Sequence, residues 1–261
     1  MSTTAISTNV QTIDWPALSA TSRQAAILKA NLDGEAMTER DLVKVKTPLG
    51  GSTTFTIDNN GNLETTDEIV GLLVGIGKRG YLWPSEDPTE QRPAVVSNDL
   101  LVGYRVSDDL GTIDPKALEK FRIGDRLYDW AAMSMSSEFG FGSGRNGAKR
   151  IKEMRILAVL RAGEMWPLLV TVGGGSLQPW ESFRKKLPSF HYEVVVGVKA
   201  VKVKNKAGQP YSQLAFRTVG IISEEHGEMA RRIYTESLGK MFAAPPAGAV
   251  VAETHDAGDD E

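Results

Sequence analysis

The chain has no cysteine at all. That excludes a disulfide framework, a thiolate zinc site and a cysteine nucleophile, and it leaves His191, His226 and His255 as the imidazole donors. Metal catalysis is not expected from so few ligands. No apolar run reaches the roughly 20 residues that a spanning helix requires, and Met-Ser-Thr-Thr at the start is neither basic nor apolar. A soluble, cytoplasmic protein without a membrane partner is expected. A basic excess is missing too: 30 Lys and Arg against 33 Asp and Glu leave a net charge of -3, which by itself argues against a nucleic-acid binder. The average hides an asymmetry. Residues 243 to 261 hold five acids and no Lys or Arg, so residues 1 to 242 carry 30 basic against 28 acidic residues, or +2.

The remaining composition is that of a globular protein: 41% apolar, 24% charged and 7% aromatic over 261 residues, long enough to bury a core without staples. Residues 1–13 are polar and rich in Ser and Thr and read as a disordered arm. Asp14-Trp15-Pro16 opens a predicted helix with apolar Leu18, Ala25, Ile27, Leu28 and Leu32, stopped by Gly34. From Leu42 to Val106 the pattern is that of a β-meander, with a turn at Asn59-Asn60-Gly61-Asn62. A proline-marked loop from 84 to 98 follows, then a short helix from Asp114-Pro115 to about Phe121, and an irregular stretch from 131 to 148.

Met154–Leu160 and Trp166–Val172 predict a buried hairpin around Arg161-Ala162-Gly163-Glu164. Ser176 is expected to cap a helix through Leu187. Tyr192–Val203 and Tyr211–Val219 predict a second hairpin, whose apolar parity slips near Ala200 and calls for a bulge there. A helix from 223 to 242, capped by Ser223, ends before Pro245-Pro246. There is no internal repeat. The sum is an α+β fold: an antiparallel, OB-like β-barrel with helical and loop insertions and a C-terminal helix, as a single domain over 14–242 with a flexible acidic tail over 243–261.

Two segments match G-x-G-x-x-G, Gly75-Ile-Gly77-Lys-Arg-Gly80 and Gly142-Ser-Gly144-Arg-Asn-Gly147. Neither has the strand-to-helix setting that a dinucleotide site needs. There is no phosphate-loop lysine motif and no G-x-S-x-G elbow. Glu224-Glu225-His226 suits a helix start better than catalysis. No catalytic residue, cofactor or metal is assigned. The best carboxylate set for a nuclease, Asp108-Asp109 with Asp114, is explained equally by loop solvation.

The basic clusters carry more. Arg145, Lys149, Arg150, Lys152 and Arg155 surround a Gly-rich loop where backbone can approach a phosphate. Arg184 and Lys185 (with Lys186) lie beside Trp180 and other aromatics; Lys202, Lys204 and Lys206 form a third group facing Tyr211 across the turn. Arg79, Tyr81 and Trp83 alternate cation and aromatic in the first half. Cations neutralise a nucleic-acid backbone while aromatic faces stack on splayed bases, which is what single strands require. Against each stands the plain reading: solvated surface for the cations, core packing for the aromatics. The tail, a Pro/Ala linker followed by acids, can compete for a groove that binds polyanions or can simply solubilise. A structural or adaptor protein that binds other proteins is the alternative to a strand binder.

From Leu157 to Phe242, with Leu160-Arg161-Ala162-Gly163-Glu164, Ser176-Leu177-Gln178-Pro179-Trp180, Asn205-Lys206-Ala207-Gly208 and Tyr211-Ser212, the chain resembles a family of tailed-bacteriophage proteins associated with single-stranded-DNA binding. Gly71-Leu72-Leu73-Val74 and Arg79-Gly80-Tyr81-Leu82-Trp83-Pro84 extend the likeness, which covers about 40 to 242. The resemblance implies a protein that coats single-stranded DNA in replication or recombination in a bacterial host's cytoplasm; self-association on DNA, and replication or recombination proteins bound by the acidic tail outside the likeness, are the further partners to expect. Members of that family carry four cysteines that look like a zinc site. The matching positions here are Val95, Met133, Ser136 and Ile151, so the resemblance implies a zinc-free member with a packed cluster in the metal's place, and 131–148 either held by Met133, Phe139 and Phe141 or mobile until ligand binds.

Overall fold

The structure is a computed structural model that describes residues 11–13, 38, 39, 41–59, 61–85, 92–144, 147–205 and 208–245. The helix expected from Asp14, Arg145, Lys206 and the tail from Pro246 onward lie outside these residues. In chain order the elements are β1 (Lys44–Lys46), β2 (Phe55–Asn59), β3 (Asn62–Thr66), β4 (Glu68–Leu82), β5 (Val95–Ser97), β6 (Val102–Arg105), α1 (Pro115–Glu119), β7 (Arg122–Gly124), β8 (Leu127–Asp129) and α2 (Trp130–Met135). The second half adds β9 (Lys152–Leu160), β10 (Leu168–Gly173), α3 (Leu177–Arg184), β11 (Val194–Lys204), β12 (Pro210–Ile221), α4 (Glu224–Ala230) and α5 (Glu236–Ala243). A π-helical stretch, Arg231–Thr235, joins α4 to α5 into one 20-residue helix.

The strands form a mixed sheet of 12 that is not closed into a barrel, which corrects the OB-like expectation. Closure needs the first and last strands to pair. Here the terminal strand β3 is exposed along nearly its whole length and offers no apolar face, and β7 has three residues. The meander is also broken, because β3 pairs with β2 alone and β1 joins β10 in parallel. Where one domain was expected, the described residues fall into two compact units, one on each side of divisions between Gly77 and Lys78, between Glu153 and Met154 and after Phe242.

In the first unit both faces of the sheet are covered, so β4, β9 and β11 are near-continuous apolar runs rather than alternating ones. Period-two geometry sorts them. Leu72, Val74, Ile156, Ala158 and Leu160 pack with Tyr234, Leu238 and Phe242, while Leu73, Leu157, Val159, Val196 and Val198 pack with Trp180 of α3. The two predicted hairpins, β9–β10 and β11–β12, are present. The β11 bulge falls between Val195 and Val196 instead of near Ala200. Ser223 caps α4 by accepting from His226 N at 3.3 Å. Ser176 does not cap α3; its Oγ accepts from Leu214 N at 2.9 Å, and α3 ends at Arg184, short of Leu187. Of the expected mobile arm, Gln11–Ile13 is tied down: Ile13 N donates to Ile221 O at 2.7 Å.

The glycines of the first G-x-G-x-x-G lie inside β4, not in a phosphate-binding turn. A Cβ at Gly75 would sit 2.9 Å from Leu238 Cδ1, and one at Gly77 2.7 Å from Phe242 Cδ1. Gly80, in the second unit, makes the same room for the Trp130 ring. These absences of side chain let large residues lie directly on the strand.

In the second unit Asp114 caps α1 as expected, accepting from Lys116 N at 2.9 Å. The stretch read as irregular begins with α2, capped by Asp129, whose carboxylate accepts from Ala132 N at 2.9 Å. Val95, Met133 and Ile151 share one apolar cluster with Phe139, and Ser136 Oγ accepts from Phe139 N at 3.1 Å beside it. The third expected packing residue of that stretch, Phe141, is outside the cluster.

Candidate nucleic-acid interface

The segment after α2 turns back on the helix through Gly140. Its N–H donates to Ser136 O at 2.8 Å, and a Cβ would press on Ser134 O at 2.8 Å, so only glycine fits this close return. Gly142 and Gly147 then take positive φ, +89° and +72°, and the loop closes on itself through Gly142 N to Gly147 O (3.1 Å) and Gly144 N to Ala148 O (2.8 Å). The return sends neighbouring aromatics in opposite directions. Phe139 enters the core, whereas Phe141 is 85% exposed.

Lys149 Nζ stands 5.8 Å from the Phe141 ring centroid, within cation–π range. The same ammonium donates to Ser134 Oγ at 2.9 Å and pairs with Glu153 at 3.0 Å, which fixes its position and partly neutralises it. Arg150 donates to Thr112 Oγ1 at 2.6 Å, with its Nε buried and unbonded. Lys152 is exposed and donates to Lys149 O at 3.0 Å. Together these groups present an exposed aromatic face with Lys149 over it, and Arg150 and Lys152 follow in the same segment. A nucleobase can stack on such a face while its phosphates meet Arg150 and Lys152. The exposure of Phe141 was missed from sequence; the signal for it was Gly140, next to it.

Arg79, Tyr81 and Trp83 are placed less favourably. The Tyr81 and Trp83 rings do meet, with centroids 5.9 Å apart, but both are half-buried. Arg79 is only 6% exposed, donates to Lys78 O at 2.9 Å, and burial holds its guanidinium below its usual pKa. A phosphate on the surface cannot reach it as it stands, which corrects its assignment.

In the first unit the clearest correction is Trp180. Its ring is fully enclosed, 5.3 Å from Phe216 and 5.9 Å from Phe183, so it is a core residue. Arg155 and Arg184, assigned to separate clusters, come together on Glu181 at 3.2 and 2.8 Å, so one carboxylate offsets two cations. Lys185 is exposed on the turn after α3. Lys202 and Lys204 are exposed and pair across the hairpin with Ser212 and Pro210, on the strand parity of Val198 and Ala200. Tyr211 pairs with Val203 on the opposite face, its ring against Gly175. The hairpin therefore separates Tyr211 from the lysines that were read with it.

The acids do not converge. Asp108 pairs with Arg126 at 3.0 Å, Asp109 accepts from Gly111 N at 2.9 Å and Asp114 caps α1. Among the described residues no His, Asp and Glu gather to hold a metal ion, and no helix is long and apolar enough to cross a membrane. In comparisons with known proteins, no family model matches the sequence, no curated protein matches it and no solved structure matches the fold.

Proposed function

We propose that this is a non-enzymatic single-stranded-DNA-binding protein of a phage or related mobile element, coating exposed strands in replication or recombination. The observation that carries the reading is Phe141, an aromatic ring left 85% in solvent by a tightly bonded glycine loop and backed by Lys149. Exposing a large ring costs the favourable burial that ring would otherwise contribute, so a preorganised exposed ring suits a ligand that stacks. The lysines of the β11–β12 hairpin, Lys202 and Lys204, have no ion pair among the described residues and add to the electrostatic capture. The acidic tail over 243–261 is proposed to compete with the strand or to recruit partner proteins.

The test is a titration of fluorescent oligo-dT at several salt concentrations, with a matched duplex alongside. Preferential binding of the single strand, with log affinity falling linearly in log salt, is the expected result. Absence of binding at low salt sinks the proposal. Deleting residues 243–261 should tighten binding at low salt if the tail competes. A second reading, an adaptor that binds proteins, is favoured by exposed Leu101 and Ile123 and predicts salt-insensitive complexes and no affinity for oligo-dT.

A further inference from the structure

The first unit carries an aromatic pair that neither its core nor the clusters above use. Phe190 lies parallel to Tyr192, with an interplanar angle of 4° and centroids 5.3 Å apart. His191 meets the same Tyr192 ring edge-on at 74°, also at 5.3 Å. Tyr192 is 9% exposed, while Phe190 above it is 66% exposed. The Phe190 ring thus has one face on Tyr192 and the other open to solvent.

This geometry is held from below. Glu193 N donates to Phe190 O at 2.9 Å, closing a 3-10 turn over His191–Glu193. The Glu193 carboxylate is buried, accepts from Ser189 Oγ and seats where Gly227 of α4 has no side chain. A ring with little freedom to lose binds with little entropic cost. Upstream in the chain, separated from it by Leu187, Pro188 and Ser189, stand Arg184, Lys185 and Lys186, all exposed. Arg184 is paired with Glu181, but Lys185 and Lys186 have no ion pair among the described residues. The one acid of the turn, Glu193, is turned inward. On α4, which packs against this turn, Glu228 is paired with Arg231 while Glu224 and Glu225 are exposed, so Lys185 and Lys186 are balanced by acids on the helix side of the ring.

We infer that Phe190 is a second nucleobase-stacking platform, extending the Tyr192 stack by one ring, with Lys185 and Lys186 taking the flanking phosphates. The inference rests on the single-strand reading above. A hydrocarbon surface for a protein partner would need only bulk at this position, whereas a stacked base needs a π-face. That difference makes the two distinguishable by substitution.

The experiment measures oligo-dT affinity of the full chain for the wild type and for F190A, F190L, F190W and F141A, with urea midpoints alongside. F190A and F190L are expected to weaken binding about 5- to 160-fold, the range of one lost base stack, with F190W restoring it. The midpoints should hardly move, since the ring is mostly in solvent. F190L binding as tightly as the wild type overturns the inference, as does F190A doing so. If F141A weakens binding while F190A and F190L do not, only this second platform fails. A wild-type chain that ignores oligo-dT at low salt overturns the parent reading and this one together.

Discussion

Trp180 and Phe141 are both aromatics close to Lys and Arg in sequence, the first expected to stack on a strand and the second to pack, and the fold reverses the two. Trp180 is on a helix that lies on a sheet, so the apolar side of that helix must face inward and takes the indole with it. Phe141 is on a loop that has already satisfied its core with Phe139, and the return at Gly140 leaves the next ring nowhere to go but out. What separates a core aromatic from a binding aromatic is the element that carries it, not its charged neighbours.

The largest expected effect comes from removing the enclosed ring. Trp180→Ala should cost about 3–5 kcal/mol of stability, read from urea unfolding. A cost under about 1 kcal/mol would break the contrast. Phe141→Ala should leave stability within about 0.5 kcal/mol and lose about 1–3 kcal/mol of oligo-dT affinity. Next, reversing Lys202 and Lys204 to Glu should flatten the slope of log affinity on log salt by about 1.4 if each meets one phosphate of a single strand. An unchanged slope would place the hairpin outside the interface.

The smallest effect concerns His191, whose imidazole is pushed below the usual 6.5 by burial. Below pH about 6.5 the unfolded chain takes up a proton that the folded chain resists, so stability falls as pH drops through that value toward the folded pKa. His191→Gln should remove that step from a series of urea midpoints between pH 8 and 5. It sharpens the comparison because His191 is edge-on to the Tyr192 ring under Phe190, where packing and exposure meet.

Much of the local structure was legible. The apolar runs around Gly163 and around Asn205 and Gly208 announced two hairpins, and Asp114 and Ser223 announced two helix starts through their caps. These signals lie within a few residues of what they determine. Closure of the sheet did not lie within reach, because it depends on distant pairings such as β1 with β10, where Val45 meets Val170. The Asp129 cap is a local signal of the same kind. Of the interface, the cation clusters were readable as composition, but which cations are already taken was not. Glu181 serves Arg155 and Arg184 from another element, and Glu153 serves Lys149. Tyr211 was lost to strand parity, which one residue of register decides.

Gly75, Gly77 and Gly80 make β4 a strand with three notches, each filled by a particular large side chain. Such pairs cannot drift independently over evolutionary time. A homologue that acquires alanine at the position of Gly80 should carry something smaller than tryptophan at the position of Trp130, and an engineer who wants either change should make both at once.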